Sequence, residues 1–87
     1  MSRWPNLSCA EVKRALKALG FSPAKRTGTS HEQWIKQDGQ QFHKVTVDCP
    51  KEPFTLDLAD SMAKQAGITR RELYRAADKK RKWHWLW

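Results

Sequence analysis

Residues 32–48 read EQWIKQDGQQFHKVTVD, and this stretch decides the predicted fold because it contains two strands joined by a tight turn. The predicted strands are Glu32–Lys36 and Phe42–Asp48. Asp38 and Gly39 lie between them, and an Asp-Gly pair favours a tight hairpin turn. The stretch therefore predicts an antiparallel pair of strands.

Side chains of a strand alternate between its two faces, so each predicted strand has two distinct sets of residues. On the earlier strand, His31, Gln33 and Ile35 share one face, and Glu32, Trp34 and Lys36 share the other. On the later strand, Val45 and Val47 point one way, and Lys44, Thr46 and Asp48 point the other. Because the alternation is imperfect, the sequence leaves the register open.

The first helix is predicted by its start and stop signals. Ser8 and Glu11 have the spacing of a capping box, in which each side chain accepts a hydrogen bond from the other residue's backbone amide. Gly20 is predicted to end the helix as a left-handed cap, with Phe21 folding back onto Leu16.

Two further helices are predicted after the hairpin. The second runs from about Leu58 to Ala66 and stops at Gly67. Thr69 and Glu72 form a second capping box, which opens a short third helix ending near Asp78.

A short extended piece at Lys25–Thr27 completes the predicted order of helix, three strands, helix and short helix. This order predicts an α+β fold with helices on one face of a three-stranded antiparallel sheet. Residues 1–78 are predicted to form one domain. Residues 79–87, KKRKWHWLW, form a basic, tryptophan-rich tail that either contacts nucleic acid or, as the favoured interpretation, frays and covers part of the core or a partner.

Composition narrows the class of protein. The 87 residues carry a net charge of +8, which predicts a polyanionic partner. Cys9 and Cys49 lack metal-ligand spacing, so they are interpreted as ordinary apolar residues in a reducing compartment, and no metal or small-molecule cofactor is expected. Neither a membrane span nor a signal peptide is recognised, so a cytoplasmic location without membrane contact is predicted.

The candidate catalytic residue lies in residues 26–34, RTGTSHEQW. His31 follows a small, hydroxyl-rich turn and precedes a strand, with Lys25 and Arg26 just upstream. A histidine on an open turn beside cations is suited to moving protons at a phosphodiester. A histidine at a strand edge is more often structural, so the residues alone leave both interpretations open. His43 is a second acid or base if the hairpin brings it near His31, and otherwise a half-buried structural residue.

Three segments, in order, resemble the HicA family of mRNA interferase toxins. Leu19-Gly20-Phe21 is similar to the end of the family's first helix, Gly28-Thr29-Ser30-His31 to the turn before its second strand, and Gln65-Ala66-Gly67-Ile68 to the end of a later helix. The resemblance covers roughly residues 7 to 78.

The resemblance implies a small α-β-β-β-α sandwich like a double-stranded-RNA-binding domain, here with a short extra helix. It also implies a type II toxin that cleaves mRNA without metal, uses His31 as its essential histidine, and is inhibited by a HicB-like antitoxin. The residues expected to contact RNA are Lys25, Arg26, Gly28, Thr29, Ser30 and Lys36.

Two departures from the family pattern are evident. Many relatives carry a second histidine directly after the first, where this chain has Glu32, and the tail after Asp78 has no counterpart. The main alternative is a non-catalytic RNA-binding module of the same fold. A third is a protein-interaction domain that uses the tryptophans of the tail.

Overall fold

The computed structural model of this chain describes residues 4–24 and 31–78. The elements are α1 (Cys9–Ala18), β1 (Ser22–Pro23), β2 (His31–Asp38), β3 (Gln41–Asp48), a 3₁₀ turn (Cys49–Lys51), α2 (Leu56–Ala66) and α3 (Arg70–Ala77). The three strands form one antiparallel sheet in the order β1-β2-β3. The predicted α+β fold with its extra C-terminal helix is confirmed.

The predicted signals at the ends of α1 are present. The Ser8 hydroxyl accepts from the Glu11 amide at 3.1 Å, and the Glu11 carboxylate accepts from the Ser8 amide at 2.8 Å. Gly20 has a φ of 98°, and the Phe21 amide returns to the Leu16 carbonyl at 2.9 Å. Buried Phe21 therefore closes the end of the helix, as the sequence predicts.

The β2–β3 hairpin has the tightest common connection. Gly39, at φ 61°, and Gln40 form the turn, so Asp38 pairs with Gln41. The strands then remain in register to their far end, where His31 is the partner of Asp48.

The boundaries of four elements differ from the prediction. β2 and β3 are longer than predicted, and α2 begins at Leu56, where the Thr55 hydroxyl accepts from the Leu58 amide at 3.5 Å. The first strand is Ser22–Pro23, which pairs with Trp34 and Ile35 of β2. The predicted strand at Lys25–Thr27 and the tail at 79–87 lie outside the described residues, so the domain boundary at residue 78 stays a prediction.

The core lies between the helices and one face of the sheet. Trp34, Val45 and Val47 point into it from the strands, and Val12, Ala15, Leu16, Ala59, Ala63 and Leu73 from the helices. On the other face, the "open sheet face", none of the side chains is buried; it carries His31, Gln33, Ile35, Phe42, Lys44 and Thr46. No helix in the described ranges is both long and apolar enough to cross a membrane.

The interpretation of the two cysteines as unpaired residues is wrong. Cys9 begins α1 and Cys49 follows β3, and the two are joined by a disulfide with their Cα atoms 5.2 Å apart. Their separation of 40 residues hid the pairing in the sequence. The fold brings them together because α1 packs over β3. The disulfide also removes the cysteine-based argument for a reducing compartment.

Candidate active site

His31 and Asp48 form a pair at the end of the hairpin far from its turn. They are cross-strand partners, and Nε2 of His31 lies 3.1 Å from Oδ2 of Asp48. The His31 side chain is 54% exposed and that of Asp48 only 18%. The carboxylate is thus fixed in the protein surface, while the imidazole stays accessible to a large substrate.

The second oxygen of Asp48, Oδ1, is buried without a hydrogen-bond partner among the described residues. The adjacent residue is Cys49, whose disulfide ties this end of β3 to the start of α1. Asp48 therefore makes its polar contact through the oxygen that faces His31. A carboxylate on one imidazole nitrogen determines which nitrogen carries the proton and orients the ring.

Glu32, which stands where many relatives have a second histidine, points to the opposite face. Its Oε2 accepts from the Lys13 ammonium at 2.6 Å, and its Oε1 accepts from the Trp34 indole nitrogen at 3.3 Å. The Glu32 side chain is 13% exposed. The residue at this position therefore joins the sheet to α1 and does not share a face with His31.

His43 is not a partner of His31. It pairs with Lys36, which lies five residues along β2 from His31. At the rise of a strand, this places His43 roughly 17 Å from His31. Its ring packs against Gly67, where an added Cβ would lie 2.6 Å from Cε1 of His43. The structural interpretation of His43 as a half-buried residue is confirmed.

Lys36 lies apart from His31 as well. It is on the helix-covered face, its ammonium donates to the Leu19 carbonyl at 2.9 Å, and it lies 5.8 Å from the centre of the Phe21 ring. These contacts cap the C-terminal end of α1.

The other residues expected to contact RNA lie outside the described part of the chain. They are Lys25, Arg26, Gly28, Thr29 and Ser30, which directly precede His31 in the sequence. Within the described residues, no group of three or more His, Cys, Asp or Glu side chains could hold a metal ion.

Asp48 is the residue of the site that the sequence reasoning missed. A two-residue loop at Gly39-Gln40 pairs Asp38 with Gln41, and counting seven residues away from that pair along each strand brings His31 opposite Asp48. The turn length was therefore the available signal, and it would have fixed the register that the side-chain alternation left open.

The groups with shifted pKa values belong to the helix layer. A hydrogen bond from Arg70, bidentate at 2.7 and 2.6 Å, lowers the pKa of Asp60. Hydrogen bonds from the backbone and hydroxyl of Thr69 lower the pKa of Glu72. Burial raises the pKa of Tyr74. These interactions fix α2 and α3 to each other and cap α3.

Fold and site together define a small α+β protein that presents a histidine–aspartate pair on the open sheet face. The family model described as HicA toxin of bacterial toxin-antitoxin matches residues 9–68 of the 87. The chain belongs to the HicA toxin family of bacterial toxin–antitoxin systems. Searches of curated proteins and of solved structures give no significant match.

Proposed function

We propose that this protein is the toxin of a type II toxin–antitoxin pair and an endoribonuclease that cleaves mRNA without a metal ion. The observation that supports this most is the exposed His31 imidazole, held 3.1 Å from the Asp48 carboxylate. Membership of the HicA toxin family supports the toxin role. The net charge of +8 suits an RNA substrate.

The chemistry is attack of a ribose 2′-oxygen on the adjacent phosphorus. Asp48 orients the His31 imidazole, which takes the proton of the 2′-hydroxyl as a general base. The new bond joins the 2′-oxygen to phosphorus, and the bond from phosphorus to the 5′-oxygen breaks. The imidazolium, stabilised by Asp48, returns its proton to the departing 5′-oxygen, leaving a cyclic phosphate and a 5′-hydroxyl.

The segment before His31 supplies the groups that bind the phosphate in this proposal. Lys25 and Arg26 offset the charge of the phosphorane, and backbone amides from Gly28 to Ser30 donate to its oxygens. Lys36 is not assigned to this site, because it lies on the other face and its ammonium contacts the Leu19 carbonyl. A HicB-like antitoxin inhibits the toxin by covering His31.

The first prediction concerns the histidine–aspartate pair. His31→Ala should lower the rate of RNA cleavage about 10²–10⁴-fold and abolish growth arrest. Asp48→Asn should lower kcat less, displace the pH–rate profile and leave KM nearly unchanged, because Asp48 positions the imidazole. The measurement is cleavage of a labelled RNA by purified protein in EDTA, alongside growth after induction without antitoxin.

His43→Gln is the matched control, since it removes a histidine roughly 17 Å from the site and should retain activity if the chain folds. Equal toxicity of His31→Ala and the wild-type chain would refute the role of His31. Intact RNA with salt-sensitive binding by the wild-type chain would favour the alternative, a non-catalytic RNA-binding module.

A further inference from the structure

Phe42 is exposed on the same sheet face as His31. It is the one large apolar side chain with high exposure in the described residues, at 57%. It pairs with Gln37, six residues along β2 from His31, which places it roughly 20 Å from the proposed catalytic end. The face between these two points is formed by the middle of β2 and β3.

The side chains between His31 and Phe42 suit the bases of a nucleic acid. The Thr46 hydroxyl donates to Oε1 of Gln33 at 3.1 Å, which orients the carboxamide so that its nitrogen is a donor for a base edge. Ile35, in the next residue pair along this face, is half-buried and offers an aliphatic surface to a base. Flat sheets with an exposed aromatic ring are suited to stacking unpaired bases.

The charge of the whole chain favours RNA over a protein. Apart from the His31–Asp48 pair, Lys44 is the only charged residue on the open sheet face within the described ranges, and the whole chain is at +8. Protein interfaces have an apolar centre made of several side chains, whereas Phe42 is a single exposed apolar ring with Gln37 and Lys44 as its neighbours. An isolated aromatic ring beside a cation is the arrangement that binds single strands with little sequence preference.

We propose that the open sheet face binds the single-stranded RNA that flanks the cleaved bond. Phe42 stacks on a base several nucleotides from the scissile phosphate, and Lys44 contacts a phosphate between them. This inference rests on the proposed function for the position of the cleaved bond, but its test measures binding rather than cleavage.

The test is titration of labelled single-stranded oligonucleotides of increasing length with the His31→Ala chain. Affinity should rise until the strand spans from the His31 position to Phe42. In this background, Phe42→Ala and Phe42→Leu should each weaken binding of the longer strands about tenfold, whereas Phe42→Tyr should retain it because the ring stacks. Lys44→Gln should reduce the salt slope by about 0.7, and the matched control Lys17→Gln, on exposed α1 surface, should not.

Equal affinity of all Phe42 variants for every strand length would overturn the inference, even if wild-type protein cleaves RNA through His31. Loss of antitoxin binding by Phe42→Ala with unchanged RNA affinity would overturn it too, because the face would then be a protein surface. Conversely, the expected binding pattern in a chain that never cleaves RNA would support the RNA surface and refute the endoribonuclease. Since Phe42 is exposed, its variants should keep the wild-type Tm.

Discussion

The two faces of the β2–β3 hairpin are formed by the same two strands but have different roles. Of the residues facing the helices, Trp34 and Val45 enter the core, and Glu32 and Lys36 make polar contacts to α1 and to Leu19 just after it. Residues on the open sheet face include the His31–Asp48 pair and no buried side chain. Residues that stabilise the fold thus alternate along each strand with residues of the proposed functional face. Substitutions at adjacent positions should therefore affect different properties.

The largest expected effect separates two neighbours in β2. Trp34→Ala should lower the free energy of unfolding by about 3–5 kcal/mol, because Trp34 is 6% exposed and packs in the core. Ile35→Ala, on the opposite face and only half-buried, should cost clearly less. Urea unfolding, followed by the circular dichroism of the backbone, measures the free energy of unfolding of both variants. Similar losses of stability in the two variants would show that the open sheet face is covered.

The second effect concerns the covalent link on the helix-covered side. Replacing Cys9 and Cys49 together by serine should destabilise the protein by about 2–4 kcal/mol, because the disulfide closes a loop spanning 40 residues of the unfolded chain. A reducing agent should lower the Tm of the wild-type chain and leave that of the double variant unchanged. If reduction has no effect on the wild-type Tm, the two thiols are not paired in solution.

The smallest expected effect is the acid response of the helix layer. Asp60 and Glu72 have pKa values below their ordinary values of 3.8 and 4.5 because of their hydrogen bonds to Arg70 and Thr69. Their contribution to stability is therefore complete above about pH 5 and is lost as the pH falls through the lowered values. Glu72 is exposed and Asp60 partly exposed, so solvent screens both interactions and the loss should be small.

Asp60→Asn should flatten this acid dependence, measured as Tm against pH from 6 to 2. Thr46→Ala, a substitution on the open sheet face without a carboxylate, is the matched control and should leave the slope unchanged. An identical slope for Asp60→Asn and the wild-type chain would show that the Asp60–Arg70 pair contributes nothing.

Local signals predicted most of the fold, whereas the pairings between distant residues escaped sequence reasoning. Ser8 with Glu11, and Thr69 with Glu72, are three residues apart and act within one turn of helix, so the sequence alone located both helix starts. The Cys9–Cys49 bond depends on how α1 packs over β3, which no local pattern records. His31 was found from its neighbours, but Asp48 required the register of the whole hairpin.

His31 and Asp48 are the residue pair of the hairpin that lies farthest from its turn, and this position affects when the site is formed. Strand ends fray before their centres, and a hairpin that closes from the Gly39 turn forms its distal rung last. The pair therefore exists only in a chain whose hairpin has closed along its full length.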